Sequence, residues 1–186
     1  QYWSKDGGAS FSGGEPMLQS DFLLDILREC KKEGIHTAIE TTACARTETF
    51  EEIMRLIDFA FIDVKHMDSE RHRAKTGVGN ERILANIARL ASSGWKGRLI
   101  LRMPVVPDFN DSLENAAETA RFMESLGLFE INLLPFHRLG TSKWEQMGMT
   151  YAYADCEGTP PELMERLQNV YLDRRIACYV GDDVYY

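Results

Sequence analysis

The sequence predicts an α/β protein, a sheet of parallel strands covered by helices. Strand-like runs alternate with amphipathic helical patterns along most of the 186 residues. The helical patterns carry their own start and stop residues. Charged side chains gather at the carboxyl ends of the strand runs. Alternation of this kind argues for parallel strands joined by helical crossovers. It leaves both an open sheet and a barrel as solutions.

The first strand run, 9–12, meets Gly13-Gly14-Glu15-Pro16. A helix over 20–33 follows, with Phe22, Leu23, Ile26, Leu27 and Cys30 on one face and Gly34 as its stop. The second strand run is 37–41. Thr47 then caps a helix over 48–57 whose inner face is Phe50, Ile53, Met54 and Ile57. Strand three is 59–65. The next helix, 81–93, aligns Ile83, Leu84, Ile87, Leu90 and Ala91 and stops at Gly94. Strand four is 99–106. A helix over 112–126 follows Asp111, with Glu114 placed for a reciprocal cap and Gly127 as its stop. Strand five is 130–136, and 141–158 reads as an irregular outer loop. Thr159, Pro160 and Glu162 then fit N-cap, N1 and N3 of a last helix bearing Leu163, Leu167, Val170 and Tyr171. A short sixth strand fits 177–180. No repeat or linker divides the chain, so residues 1–186 are expected to form one domain.

Composition narrows the class. Apolar residues make up 44% of the chain, enough for a substantial core. The net charge is −8 with no basic stripe, which argues against a nucleic-acid surface. No apolar run is long enough to span a membrane. Cys30, Cys44, Cys156 and Cys178 are scattered, with no CxxC pair, and fit free thiols in a reducing cytoplasm.

The strand ends carry more chemistry than a core needs. Strand one ends at Gly13-Gly14-Glu15, strand two at Glu40-Thr41-Thr42 and strand three at Asp63-Val64-Lys65-His66. Strand four holds Arg102, and strand five ends at His137-Arg138. Ligands of parallel α/β sheets bind beyond these ends. Alternation puts Asp63 and Lys65 on the side of Phe59 and Phe61. Carboxylates, a lysine, an arginine and a histidine on one rim suit a small zwitterion with an amino group and a carboxylate. Each residue also has a plainer reading. The glycines fit a tight turn, Glu40 a solvated strand end, Asp63–Lys65 a structural pair, Arg102 a core-edge side chain, and His137 an exposed loop residue.

Gly13-Gly14-Glu15-Pro16 resembles the "GGE" motif of radical S-adenosylmethionine enzymes. More narrowly, the chain resembles glycyl-radical-enzyme activating enzymes of the pyruvate formate-lyase activating type. Five further segments carry the resemblance: Glu40-Thr41-Thr42; Asp63-Val64-Lys65-His66-Met67; Thr76-Gly77-Val78-Gly79-Asn80; Arg102-Met103-Pro104-Val105-Val106-Pro107; and Leu134-Pro135-Phe136-His137-Arg138-Leu139-Gly140 with Lys143-Trp144. They occur in family order from about residue 6 to 180.

The resemblance implies a partial, incomplete TIM-like barrel of parallel βα units. It implies S-adenosylmethionine as cofactor, with Gly13, Gly14 and Glu15 holding the methionine amino group through backbone groups. Asp63, Val64 and Lys65 would meet its amino-carboxylate end, with Lys65 on the carboxylate. Glu40 stands where relatives place a carboxylate beside a monovalent cation. Being Glu rather than Asp, it departs from that pattern. His137 would contact the nucleoside, and Arg102 would line the same cavity. The implied chemistry is reductive cleavage of S-adenosylmethionine on a [4Fe–4S] cluster and hydrogen abstraction from a glycine of a glycyl radical enzyme. Flavodoxin or ferredoxin would be the electron donor.

The family's Cys-x3-Cys-x2-Cys cluster loop does not occur among these residues. Together with the start at Gln1, this reads as a C-terminal fragment with the first strand absent and no metal ligands or catalytic residue of its own. Such a fragment is expected to be inactive and to self-associate through its open first strand. Two alternatives are a radical S-adenosylmethionine enzyme with another substrate and a cluster-free binding module.

Overall fold

A computed structural model of the chain describes residues 7–137, 146–148, 153 and 156–181. Six strands form one sheet in sequential order: β1 Gly8–Phe11, β2 His36–Thr41, β3 Phe59–Asp63, β4 Arg98–Val105, β5 Glu130–Pro135 and β6 Ala177–Val180. All five pairings are parallel. Sequential parallel order with right-handed crossovers places every connecting helix on the same face. The sheet therefore has a helix-covered face and an inner face, the partial-barrel arrangement.

Strand alternation sorts the side chains. Ala60, Ile62, Leu101, Met103, Ile131 and Leu133 join the main core beneath the helices. Phe59, Phe61 and Ile100 form a second, smaller cluster with Ala38 and Tyr179 against them. Phe59 and Phe61 meet edge to face at 5.0 Å between centroids. This second cluster floors the inner face below Asp63 and Arg102.

The helices are α1 Ser20–Lys32, α2 Thr47–Met54, α3 Ser69–Thr76, α4 Glu81–Ser92, α5 Leu113–Leu126 and α6 Pro161–Leu172. Helix α1 is preceded by a 3-10 turn, Pro16–Gln19. Its buried stripe is Leu23, Leu24, Leu27 and Cys30, while Phe22 is 65% exposed. Three consecutive apolar residues, 22–24, offer two overlapping stripes. The helix seats the one centred on Leu23 and Leu24.

Helix α3 was not anticipated, because SERHRAKT has no apolar stripe. Asp68 caps it by accepting from the Arg71 N–H, Gly77 at φ 84° ends it, and His72 is its one buried side chain. Three predicted caps differ. Thr47 is the first residue of α2, and the capping position is Arg46 with no side-chain cap. Ser112, not Asp111, caps α5 through the Asn115 N–H. The N3 position is then Asn115, so Glu114 lies one residue short of a reciprocal cap. Pro160 takes the cap position of α6. The Thr159 hydroxyl instead accepts from Phe136 N–H at 2.9 Å and donates to Val105 O at 3.2 Å. Strand β3 also ends at Asp63, two residues earlier than expected.

Strand β1 stands at one edge of the sheet and pairs only with β2 among the described residues. No described helix is long and apolar enough to cross a membrane. All four cysteines are free.

The seating of α1 is testable by chemical denaturation. Leu24→Ala should lower unfolding free energy by about 2–5 kcal/mol. Phe22→Ala should change it by no more than about 0.5 kcal/mol.

Candidate cofactor-binding site

At the end of β1 the chain turns through Gly13, at φ +126°, and Gly14. A Cβ at either position would meet nothing within 4 Å, so the backbone there is open to a ligand. Glu15 holds this turn in place. Its carboxylate accepts from Met17 N–H at 3.1 Å, Thr41 Oγ1 at 2.6 Å, Thr42 N–H at 2.8 Å and Thr42 Oγ1 at 2.5 Å. Four donors commit both oxygens internally. What the turn offers outward is backbone, not the Glu15 side chain.

The end of β2 is fixed in its turn. Ala43 adopts φ +56°, and its N–H donates to Thr41 Oγ1 at 3.0 Å. Asn86, fully buried on α4, donates to Ala43 O and Ala45 O, each at 2.9 Å.

Arg102 joins three strands on the inner face. It donates to Asp63 Oδ1 of β3 at 2.8 Å and to Glu40 Oε2 of β2 at 2.9 Å. Its guanidinium lies 5.4 Å from the Phe61 ring centroid. Burial alone would lower its pKa, but Asp63 and Glu40 outweigh burial and raise it. Lys65 Nζ stands 3.7 Å from Asp63 Oδ2, a loose pair, with its side chain 32% exposed. Two carboxylates and two cations thus balance.

A second ion cluster lies toward the other end of the inner face. Arg98 grips Glu130 with bonds of 3.1 and 2.6 Å, and Tyr179 OH donates to Glu130 at 3.0 Å. Burial raises the Glu130 pKa, but these partners outweigh it and hold it below the ordinary carboxylate value. This cluster buttresses β4, β5 and β6.

The remaining anticipated residues separate. Val64 is 2% exposed and packs into the helix-side core, opposite to Asp63 and Lys65. Only its backbone faces the strand end. His137 is exposed, two residues beyond β5, and makes no recorded bond to the Arg102 network. Arg138, Lys143 and Trp144 lie outside the described residues. Among the described residues, no group of three potential metal ligands occurs.

The sequence reading passed over the buried asparagines. Asn80 donates to His66 O and Met67 O at 2.8 and 2.7 Å. Asn110 joins Lys65 O, Pro104 O and Val106 N–H. Asn115 accepts from Met67 N–H at 3.0 Å. For Asn86 a signal existed: a polar residue within the apolar stripe Ile83, Ile87, Leu90.

His66 is 4% exposed, and its Nδ1 accepts from Asp68 N–H at 2.9 Å. Its Nε2 has no hydrogen-bond partner among the described residues. Burial lowers its pKa, and nearby Arg71 adds to this, against Asp68 and Glu118.

Comparison with known proteins gives the family. A profile of the radical SAM superfamily matches residues 2–121. The chain belongs to the radical SAM superfamily. Within it, the chain belongs to the family of glycyl-radical-enzyme activating enzymes. It is 55% identical over 181 residues to a 4-hydroxyphenylacetate decarboxylase activating enzyme of Clostridioides difficile (strain CD196), covering 97% of this chain and 57% of that protein. A protein of the same name from Clostridium scatologenes is 50% identical, with 97% and 58% covered. The chain thus spans a little over half the length of these relatives. A crystal structure of a domain of pyruvate-formate lyase-activating enzyme from Bacteroides vulgatus ATCC 8482 superposes with TM-score 0.78 at 34% identity, covering 94% of this chain and 99% of that one.

Two outcomes test the geometry. Glu15→Ala strands three donors at the end of β2 and the Met17 N–H of the 3-10 turn, and should cost about 2–3 kcal/mol of unfolding free energy. The fold also holds His66 neutral. Unfolding at low pH therefore takes up a proton, and stability present above the ordinary value of 6.5 is lost as pH falls through the lower native value. Unfolding free energy should decline as pH falls through 6.5, and less steeply in His66→Asn.

Proposed function

We propose that this chain is the cofactor-binding part of an activating enzyme whose partner is an arylacetate decarboxylase, 4-hydroxyphenylacetate decarboxylase first. The identity of 50–55% to activators of that name, over nearly the whole chain, supports this partner over the pyruvate formate-lyase named by the initial resemblance. The observation that carries the cofactor reading is the rim itself. An open glycine turn lies on β1, and a charge-balanced set of Glu40, Asp63, Lys65 and Arg102 spans β2 to β4 above an aromatic floor.

The donors and acceptors fit S-adenosylmethionine. Carbonyls of the Gly13–Gly14 turn accept from the amino group. Lys65, loosely paired, is available for the carboxylate. Asp63 lies beside Lys65 and compensates its charge when the ligand is absent. Glu40 and Arg102 are spent on one another and on Asp63, so they shape the pocket and hold β2 against β4. The aromatic and aliphatic residues beneath keep water from the floor. His137, exposed past β5, would contact the nucleoside. When bound, the cofactor together with a [4Fe–4S] cluster held outside these 186 residues supplies hydrogen abstraction from the partner's glycine. Flavodoxin or ferredoxin is the class of electron donor.

The test is made with the full-length protein, reconstituted anaerobically with iron and sulfide and reduced in the presence of S-adenosylmethionine. Mixed with purified 4-hydroxyphenylacetate decarboxylase, it should produce a glycyl radical signal by electron paramagnetic resonance. Pyruvate formate-lyase should give a signal weaker by about tenfold or more. A strong signal with pyruvate formate-lyase and none with the decarboxylase sinks the partner assignment. The 186-residue chain, treated alike, should release no 5′-deoxyadenosine.

A further inference from the structure

The backbone at Lys65 is held in an unusual way. The β3–β4 ladder runs parallel to Asp63↔Arg102, and Val64 N–H then donates to Arg102 O at 2.8 Å. The next rung needs an N–H from position 104, which is proline and has none. The ladder stops just where Lys65 leaves β3.

Asn110 spans that break. It is 1% exposed and follows a turn in which Asp108 has φ +59°. Its Nδ2 donates to Lys65 O at 2.7 Å and to Pro104 O at 2.8 Å, while its Oδ1 accepts from Val106 N–H at 2.7 Å. Both amide hydrogens and the carbonyl oxygen are used. Asp cannot replace the donors, and an apolar residue leaves three partly buried backbone groups without these bonds.

Resting on the reading that Lys65 meets the cofactor's carboxylate, we propose that Asn110 is a positioning residue for that contact. By fixing the Lys65 carbonyl across the gap at Pro104, it sets where the lysine stem starts and which way it rises. The ligand class is an α-amino acid carboxylate, here the methionyl end of S-adenosylmethionine. Asn110 touches no ligand itself, and its effect on binding passes through the lysine.

A double-mutant cycle on the reconstituted full-length protein separates this from general destabilisation. Dissociation constants for S-adenosylmethionine are measured by calorimetry for the parent, Asn110→Ala, Lys65→Ala and the double variant, with thermal midpoints recorded alongside. Asn110→Ala should weaken binding about fivefold to tenfold with Lys65 present and less than about twofold without it. Asn110→Ser, which keeps one donor, should recover part of the loss and replaces the alanine variant in the cycle should that one not fold. Equal weakening in both backgrounds overturns the proposal, since a purely structural role is blind to Lys65. So does unchanged binding in Asn110→Ala where Lys65→Ala binds weakly. If Lys65→Ala binds as well as the parent, the Lys65 assignment itself falls, and the route through Asn110 falls with it.

Discussion

A parallel ladder leaves backbone groups without partners wherever a strand ends, and water cannot serve those that are buried. The carboxyl edge of this sheet depends on how that demand is met. Here side chains meet it. Glu15 takes donors from the end of β2. Asn86 takes the carbonyls of residues 43 and 45. Asn80 takes those of His66 and Met67, and Asn110 those of Lys65 and Pro104. An asparagine suits the task because one planar amide both donates twice and accepts. The loops that rise above the sheet are thereby fixed at their roots, and the groups they present need little ordering when a ligand arrives.

The same constraint shapes the electrostatics. Arg102 is held near Asp63 and Glu40 by strand register, so its charge is neutralised within the sheet. Removing either carboxylate would leave a half-buried guanidinium short of a partner. Lys65 is different. Its contact to Asp63 is long and its side chain is partly exposed, so exchanging that partner for a ligand carboxylate costs little. The rim thus contains one cation locked in structure and one held in reserve. On the proposed cofactor reading, this distinction separates the residue that builds the site from the one that binds.

Much of this was legible in the sequence. Periodicity located β2, β5, α4 and α5 closely, and the polar residues at the strand ends marked the rim. The misses have physical causes. Helix α3 buries only His72, so it carries no periodic signal, and it is held by its caps. Thr159 has the chemistry of an N-cap, but two strand-end backbone groups compete for its hydroxyl and win. Val64 was grouped with Asp63 and Lys65 by motif, although alternation sends it to the opposite face. The asparagines were hardest to read. What they do depends on carbonyls brought near by the fold, up to 45 residues away in the chain for Asn110 and Lys65.

Pro104 in β4 and Asn110 beyond it show how sequence can end a ladder within a sheet. Pro104 removes one donor and so ends the pairing of β3 with β4. Left alone, that break would cost the unsatisfied carbonyls beside it. Asn110, six residues on, donates from its side chain to the two carbonyls that flank the break, those of Lys65 and Pro104. The ladder thus ends on bonded groups just beyond the Asp63–Arg102 pair, where Lys65 leaves β3. A strand end made this way is firm, because the Lys65 and Pro104 carbonyls are both held by one buried amide. A site for a small zwitterion needs such an edge, fixed enough to tell the ligand's two charges apart.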